Sequence, residues 1–498
     1  MNFILAIDQG TTGTTACLID ANNFSFVAKI NKEYPQIYPT PGWVEHNLND
    51  IWATVEHTVV ELLKKQNVTP SQIKCIGITN QRETTCAFNK AGSPLANAIV
   101  WQDRRTADLC NNLKENNELR KKIKIKTGLE LDPYFSGSKM QWLLTNNSAV
   151  KDAAAKSDLR LGTIDTFLLY KLSGGSAFKT DASNASRTML MDLKTTNWDA
   201  ELLDLFGVKK EMLPTIEDSF GLFGTTKDLS FLPDGIPVTG ILGDQQSALF
   251  GQAGFSEGEM KCTYGTGAFI LLNTGDKHLH SKSGLLTTVE YRYQGKTFYA
   301  LEGSSYIAGA AVQWLRDNLK IIKKSSEVEA LAEQVENLDE LKYLLFFPFF
   351  TGIGSPHWRA DAKAAIVGMT RDTKDSHLAF AALEGIALSI NDLISAMRAD
   401  TGLPIKSLKV DGGAVENNLL MNLQASISET KIIRPKIIET TAFGAALGAA
   451  IGAGIVQLGQ LNDFWKMDKE FTGTEQLMQY AKEKRVLWGR TLKNIFIH

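Results

Sequence analysis

FILAIDQGTTGTTACLID, residues 3–20, decides the reading of this chain. Apolar runs at 3–7 and 16–19 flank a cluster of Gly and Thr, the pattern of two strands joined by a tight polar hairpin. Such a turn gathers backbone N–H groups and hydroxyls on one concave side. With Gly10 and Gly13 lacking a Cβ, those donors can close around a phosphate, and Asp8 stands at the strand end, where a hydrated Mg²⁺ ion can be held. An ordinary hairpin, whose Gly and Thr serve turn geometry alone, fits the same residues.

A second stretch favours the phosphate reading. Residues 259–275, EMKCTYGTGAFILLNTG, repeat the scheme: an apolar strand, a Gly-Thr-Gly turn at 265–267, and another apolar strand. Repetition at about half the chain length predicts a duplicated fold with one phosphate-gripping hairpin in each half and a nucleotide between them.

The 498 residues provide for two large domains or three smaller ones, and 44% hydrophobic with 22% charged residues is an ordinary globular composition. A net charge of −2 argues against a nucleic-acid or acidic-membrane partner, which requires a basic field. No apolar stretch reads as long enough to span a bilayer, and no basic segment precedes the first short apolar run, so a cytoplasmic protein without membrane insertion is expected. Five scattered cysteines, mostly among apolar neighbours, read as reduced packed thiols rather than a disulfide frame or zinc site. His278 with His280 reads as a solvated loop.

Prolines at 39 and 41 mark a stiff loop ending in Trp43-Val44-Glu45-His46. Ile51, Val55, Val59 and Leu62 then recur at helical spacing after Asn49 as N-cap. A short strand at 73–79 delivers Asn80-Gln81-Arg82-Glu83 at its C-terminal end, where open α/β sheets gather ligands. Arg82 and Glu83 are either a surface ion pair or a hydroxyl clamp, since guanidinium donors and carboxylate acceptors complement a small polyol. A strand at 98–101 ends in Trp101, which reads equally as core or as an apolar wall for a ligand's carbon skeleton. Residues 236–243 form a strand directly before Asp244-Gln245-Gln246, so Asp244 is an N-cap or a carboxylate placed to take a proton from an attacking hydroxyl. Residues 303–314 read as a small-residue helix start. Residues 377–397 read as a long apolar helix, and a strand at 406–410 leads into Asp411-Gly412-Gly413, where a helix N-terminus can hold an anion. Residues 440–454 form a helix with small residues on one face, the mark of close packing.

The blocks DQGTTGTTA at 8, PGWVEH at 41, GITNQRETT at 77, WQDRRT at 101, YFSGSKMQWLL at 134, GDQQSALFG at 243, TYGTGAF at 263 and DGGAVENN at 411, together with 365–384, resemble in order the FGGY carbohydrate kinases. The resemblance implies an α/β protein of two ribonuclease H-like domains of the actin-like ATPase kind with an interdomain catalytic cleft. Residues 1–250 would then serve substrate and phosphate, and residues 251–498 the nucleotide. It implies ATP-dependent, Mg²⁺-assisted phosphorylation of glycerol, with ADP as second product. Thr11, Thr12 and Gly13 would face the ATP phosphates, with Asp8 and Asp244 at the metal. Arg82, Glu83, Tyr134, Asp244 and Gln245 would bind the glycerol hydroxyls, and Trp101 and Phe269 would cover its C–H face. Thr266, Gly309, Gln313, Gly413 and Asn417 would line the nucleotide, and Asp244 would be the base. A homodimer or homotetramer is the expected assembly.

Two departures carry expectations. Thr15 stands where the resemblance implies an arginine, which removes one charged phosphate contact. Residues 229–237, LSFLPDGIP, lack both the Gly-Gly-Thr-Arg loop associated with inhibition by fructose 1,6-bisphosphate and the phosphorylatable His of some relatives, so neither regulation is expected. No G-x-x-x-x-G-K-[ST] element is present, so the phosphates are gripped without a P-loop. A pentulose or four-carbon polyol kinase, and an actin-like filament or chaperone, are the competing readings.

Overall fold

The structure is a computed structural model that describes residues 2–359 and 361–497. Its first sheet grows from the opening hairpin. β1 (Phe3–Gln9) pairs antiparallel with β2 (Gly13–Asp20), placing Asp8 opposite Thr15, and β3 (Phe26–Glu33) adds to the outer edge of β2. The chain then crosses through helix α1 (Leu48–Lys65) to β4 (Ile73–Asn80), parallel to β1, and later returns as β5 (Phe220–Thr225) and β6 (Pro237–Gly243). The strand order is β5-β6-β4-β1-β2-β3. Gln9 lies opposite Asn80, and Asn80 opposite Gly243, so the three parallel strands finish level. Whatever follows them in sequence emerges at one edge.

The second sheet repeats the plan. β7 (Met260–Tyr264) and β8 (Ala268–Gly275) form the second hairpin, followed by β9 (Leu286–Tyr293) and β10 (Lys296–Ser305). Strands β11 (Ser407–Asp411), β12 (Lys431–Pro435) and β13 (Met467–Phe471) complete the order β9-β10-β8-β7-β11-β12-β13. In each sheet an antiparallel set of three is followed by two parallel strands and an antiparallel edge, with β9 as the second sheet's extra member. The duplication read from the two Gly-Thr turns is present in the topology.

α1 buries Ile51, Val55, Val59 and Leu62 against the first sheet. Its cap is Asn47, not Asn49: the Asn47 side chain accepts from the Asn49 N–H at 2.9 Å, so Asn49 lies one residue inside the helix. α2 (Ser136–Asn146) follows the Tyr134 loop, and α3 (Asp244–Gly251) starts where β6 stops. In the second half α4 (Gly309–Asp317), α5 (Asp375–Thr401), α6 (Asn418–Ser428) and α7 (Thr440–Gly452) follow in order. α5 corrects the expectation that no segment reaches membrane-spanning length. It is long and apolar enough, but 83% of its most apolar window is buried, as a core helix of the second half must be.

Two further expectations change. Residues 303–305 end strand β10, and the helix starts only at Gly309. The small residue at 303 serves strand packing, since a Cβ there would meet Leu393 at 2.9 Å. The strand before Trp101 stops at Ile99. The small-residue helix α7 does pack closely, and its target is the first sheet: a Cβ on Gly77 of β4 would lie 2.2 Å from the Ala445 carbonyl oxygen. Thr239 of β6 donates to the Ala449 carbonyl at 2.7 Å, and Ser247 of α3 to that of Thr441 at 2.7 Å. A helix late in the chain therefore forms part of the first sheet's cover, and the two halves share a core.

Candidate active site

Level strand ends bring Asp8, Arg82 and Asp244 to one edge. Arg82 and Glu83 are no surface pair, being 2% and 1% exposed. The Arg82 stem lies over the end of β6, where a Cβ on Gly243 would come within 2.7 Å of it. Arg82 donates through Nη1 and Nη2 to the two oxygens of Glu302, at 2.5 and 3.1 Å, and through Nη1 to Gln246 at 3.2 Å. Its Nε lies 3.1 Å from Asp244 Oδ1, an ion-pair distance without hydrogen-bond alignment, so this buried N–H has no acceptor among the described residues. Glu83 sits at φ 60°, a left-handed conformation that costs a non-glycine residue about 1 kcal/mol. Ser136 Oγ donates to its carbonyl at 2.9 Å, and Arg187 Nε to its Oε1 at 2.6 Å.

Arg187 also reaches Glu302 Oε1 at 2.9 Å, so two arginines and two glutamates form one fully buried network. Desolvating these charges costs more than one pair returns, and multiple partners decide the balance. Burial would push Glu302 up, but Arg187 and Arg82 together hold it below the usual carboxylate range. Burial wins at Glu83 and pushes it up in spite of the same two arginines, consistent with its single short bond to them. Asp8 is pushed up to about 8, by burial first and then by the charges of Asp244 and Glu439.

An aromatic wall stands beside these charges. Trp101 meets Tyr134 and Phe269 edge to face, with ring centroids 5.6 and 6.2 Å away. Its indole N–H donates to Thr11 Oγ1 at 2.9 Å, which ties the wall to the first turn. Trp101 is thus partly exposed beside the charged cluster rather than core. The Tyr134 loop is held by buried Lys139, whose ammonium donates to the carbonyls of Pro133 and Tyr134 at 2.6 Å each. Burial brings that lysine down to about 8. Arg105 lies between Trp43 and Trp142, 3.8 and 4.6 Å from their rings, and joins the 41–46 loop to α2.

Thr11 and Thr12 lie on the open rim of the first turn, but Gly13 is buried. Its missing Cβ makes room for β3, where one would stand 2.8 Å from the Lys32 carbonyl oxygen. At the second turn the amides of Ala308 and Ala310 donate to the Thr266 carbonyl at 2.8 and 3.1 Å, bringing Thr266, Gly309 and the exposed Gln313 of α4 together. Gly413 and Asn417 follow β11, which runs parallel to β7, and Asn417 caps α6 by accepting from the Leu420 N–H at 2.8 Å. Gln245 accepts at its side-chain oxygen from Lys261 Nζ, which also donates to Thr263 Oγ1 at 2.9 Å.

Arg187, Gln246, Lys139, Lys261 and Glu302 carry this geometry and were not singled out from the sequence. Glu302 and Lys261 had a legible signal: Glu302 directly follows the apolar run 298–301 and Lys261 lies between Met260 and Cys262, places where an ionic residue requires a partner. Among the described residues no group of three or more His, Cys, Asp or Glu side chains could hold a metal ion, and all five cysteines are free and buried.

The pattern described as the FGGY family of carbohydrate kinases, N-terminal domain, matches residues 3–251, and its C-terminal counterpart matches residues 260–453. A glycerol kinase of Bdellovibrio bacteriovorus is 47% identical over 99% of both chains, and one of Myxococcus xanthus is 49% identical over 99% of both. Among solved structures, Plasmodium falciparum glycerol kinase with ADP superposes with a TM-score of 0.91 at 37% identity, covering 100% of this chain and 99% of its own. A ligand-bound xylulose kinase from Lactobacillus acidophilus reaches a TM-score of 0.88 at 23% identity, over 100% of this chain and 99% of its own, a likeness of fold alone.

Proposed function

Because this chain belongs to the FGGY family of carbohydrate kinases, we propose that it transfers the γ-phosphoryl group of ATP to glycerol, giving sn-glycerol 3-phosphate and ADP. The observation that carries the residue-level reading is the meeting of Arg82, Glu83, Asp244 and Gln245 beside the Trp101–Tyr134–Phe269 wall, flanked by two Gly-Thr turns. A triol presents hydroxyl donors and acceptors on an apolar skeleton. Here Arg82 Nε is a donor without a partner, Glu83 and Asp244 are acceptors, and three aromatic edges meet the C–H side.

Asp244 is the base in this reading. Its Oδ1 accepts from the Gln245 N–H at 2.7 Å and faces Arg82, which leaves Oδ2 to take the proton as a terminal hydroxyl of glycerol attacks. The displaced group is ADP, and most of the rate comes from positioning and charge stabilisation. Thr11, Thr12 and the Gly13 end of the first turn face the phosphates, and Thr266, Gly309, Gln313, Gly413 and Asn417 line the nucleotide from the second half. In this reading the division between the halves is placed at residues 250 and 251, at the end of α3.

Asp8 and Asp244 are the residues that would hold Mg²⁺. The fit rests on the donor set: the level ends of β1 and β6 bring the carboxylates of Asp8 and Asp244 to one sheet edge, where the charge of Asp244 helps to push Asp8 up, and Mg²⁺ characteristically takes one or two carboxylates with water and phosphate oxygens. When bound, the ion neutralises negative charge on the transferring phosphoryl group. A cytoplasmic location fits an ATP-consuming enzyme with five unpaired buried thiols. Sedimentation checks the homodimer or homotetramer that the family suggests.

The deciding experiment is turnover of the purified chain with MgATP on glycerol, xylulose, gluconate and erythritol. Glycerol should give the highest kcat/KM, and a preference for xylulose would overturn the assignment.

A further inference from the structure

Two of the acceptor-binding side chains are held by the opposite half of the molecule. Arg82 and Gln245 follow strands of the first sheet, yet the groups that orient them, Glu302 on β10 and Lys261 on β7, belong to the second. Both are engaged by protein groups in this arrangement. The two oxygens of Glu302 accept from Arg82 and Arg187, and Lys261 is fully buried with its amine donating to Gln245 and Thr263.

Each tie imposes a chemical direction. A carboxylate gripping Nη1 and Nη2 of a guanidinium fixes its plane and leaves Nε at the free edge, beside Asp244. An ammonium has only donors to offer, so it selects the oxygen of the Gln245 amide and turns the NH₂ the other way. Arg82 and Gln245 are therefore both presented as hydrogen-bond donors, opposite the acceptors Glu83 and Asp244. Both ties also sit on nucleotide-side elements: β7 runs directly into the turn at Gly265–Gly267, and β10 runs toward Gly309 and α4.

We propose that Glu302 and Lys261 are positioning residues for the acceptor polyol, through which the nucleotide half fixes the donor orientation of Arg82 and Gln245. The inference rests on the glycerol kinase reading and deepens it. It requires that acceptor binding depend on two residues that touch neither glycerol nor the reacting phosphoryl group.

The test uses the full chain and the variants Lys261→Met, which keeps the stem without the ammonium, Lys261→Arg, and Glu302→Gln. Wild-type turnover of glycerol is measured first, and its absence would sink the kinase reading separately. With that activity in hand, Lys261→Met and Glu302→Gln should each raise the KM and calorimetric Kd for glycerol about tenfold or more, with KM for ATP within about twofold. Lys261→Arg, still a donor, should recover part of the glycerol affinity. Should Glu302→Gln fail to fold, the Lys261 pair alone decides. Unchanged glycerol affinity in Lys261→Met, or an equal rise in both KM values with a lowered Tm, would overturn the proposal, since a merely structural role has no reason to single out glycerol.

Discussion

At the first turn the Gly10 N–H donates to the Gly13 carbonyl at 2.9 Å, and at the second the Gly265 N–H donates to that of Gly267, also at 2.9 Å. What surrounds these equal bonds differs. The Tyr34 hydroxyl lies 2.7 and 2.8 Å from the carbonyls of Gly10 and Thr11, while Gln9 and Gln36 amides donate to the same pair at 2.8 and 3.1 Å. His46 closes this side-chain cage against Tyr34, Gln36 and Gln81. Among the described residues the second turn has no such cage. Its carbonyls accept from the amides of Ala308, Gly309 and Ala310, so it is built onto the start of α4. The residue two places before the turn is Asp8 in one copy and Thr263 in the other. A carboxylate and side-chain hydrogen bonds support the first turn, and backbone amides support the second. In the proposed reaction the first turn, with Asp8 beside it, would serve the ion and the second would help to hold the nucleotide.

The largest effect that follows belongs to the charged side. Asp244→Asn is expected to lower turnover by about 10²- to 10⁴-fold while ATP still binds, because the amide cannot accept the proton. Thr266→Ala, on the other side, should act chiefly on KM for ATP, by at most about tenfold for one neutral hydrogen bond. Single-turnover kinetics on the pair checks both, and a near-normal rate in Asp244→Asn would break the division of labour. Next in size is Arg82→Ala. It removes the donor beside Asp244 and leaves Glu302 and Arg187 as an incomplete buried pair, so KM for glycerol should rise about ten- to hundredfold with some loss of Tm.

How the turns differ was only partly open to sequence reading. The turns themselves, Asp8, the Arg82–Glu83 pair and Asp244 were legible because Gly-Thr clusters and charges at strand ends are local patterns. Trp101 was not, since its environment depends on Thr11, Tyr134 and Phe269, brought to it by three separate segments. Glu302 meets Arg82 across 220 positions, and no periodicity in β10 encodes that. The small residues of α7 announced a close contact but not its partner, because Ala445 reaches Gly77 only through the shared core of the two halves. The helix placed at 303 failed for a related reason: glycine and serine signal close approach equally well in a strand and at a helix start.

His46 sharpens the comparison through pH. Burial lowers it to about 4, below the ordinary histidine value of 6.5, so the folded chain keeps it neutral where the unfolded chain takes up a proton. Its contribution to stability is complete above about pH 6.5 and is lost progressively as pH falls toward about 4, at up to about 1.4 kcal/mol per pH unit. Denaturant unfolding at pH 7.5 and 5 should show wild type losing about 2 kcal/mol more than His46→Gln over this interval. Equal slopes would mean that the cage around the first turn is not where the acid sensitivity lies. The second turn, held by backbone amides, supplies no titrating counterpart.

The smallest expected effect concerns Thr15, directly across the hairpin from Asp8. Directly opposed residues on antiparallel strands project to the same face, so an arginine at 15 would stand beside the Asp8 carboxyl and the phosphate-facing rim. Thr15 accepts a hydrogen bond from Asn31 Nδ2 at 2.9 Å, an exposed contact worth little. Thr15→Arg adds a cation near both groups but in partial reach of water, where an ion pair is worth about 0.2–1 kcal/mol. KM for ATP should therefore fall by about two- to fivefold, with glycerol KM unmoved and the gain shrinking in high salt. A larger gain would mean that the first turn lacks charge neutralisation in this chain. No gain, or a loss, would mean that the guanidinium competes with Mg²⁺ for Asp8, and titrating the ion at fixed ATP separates those two outcomes.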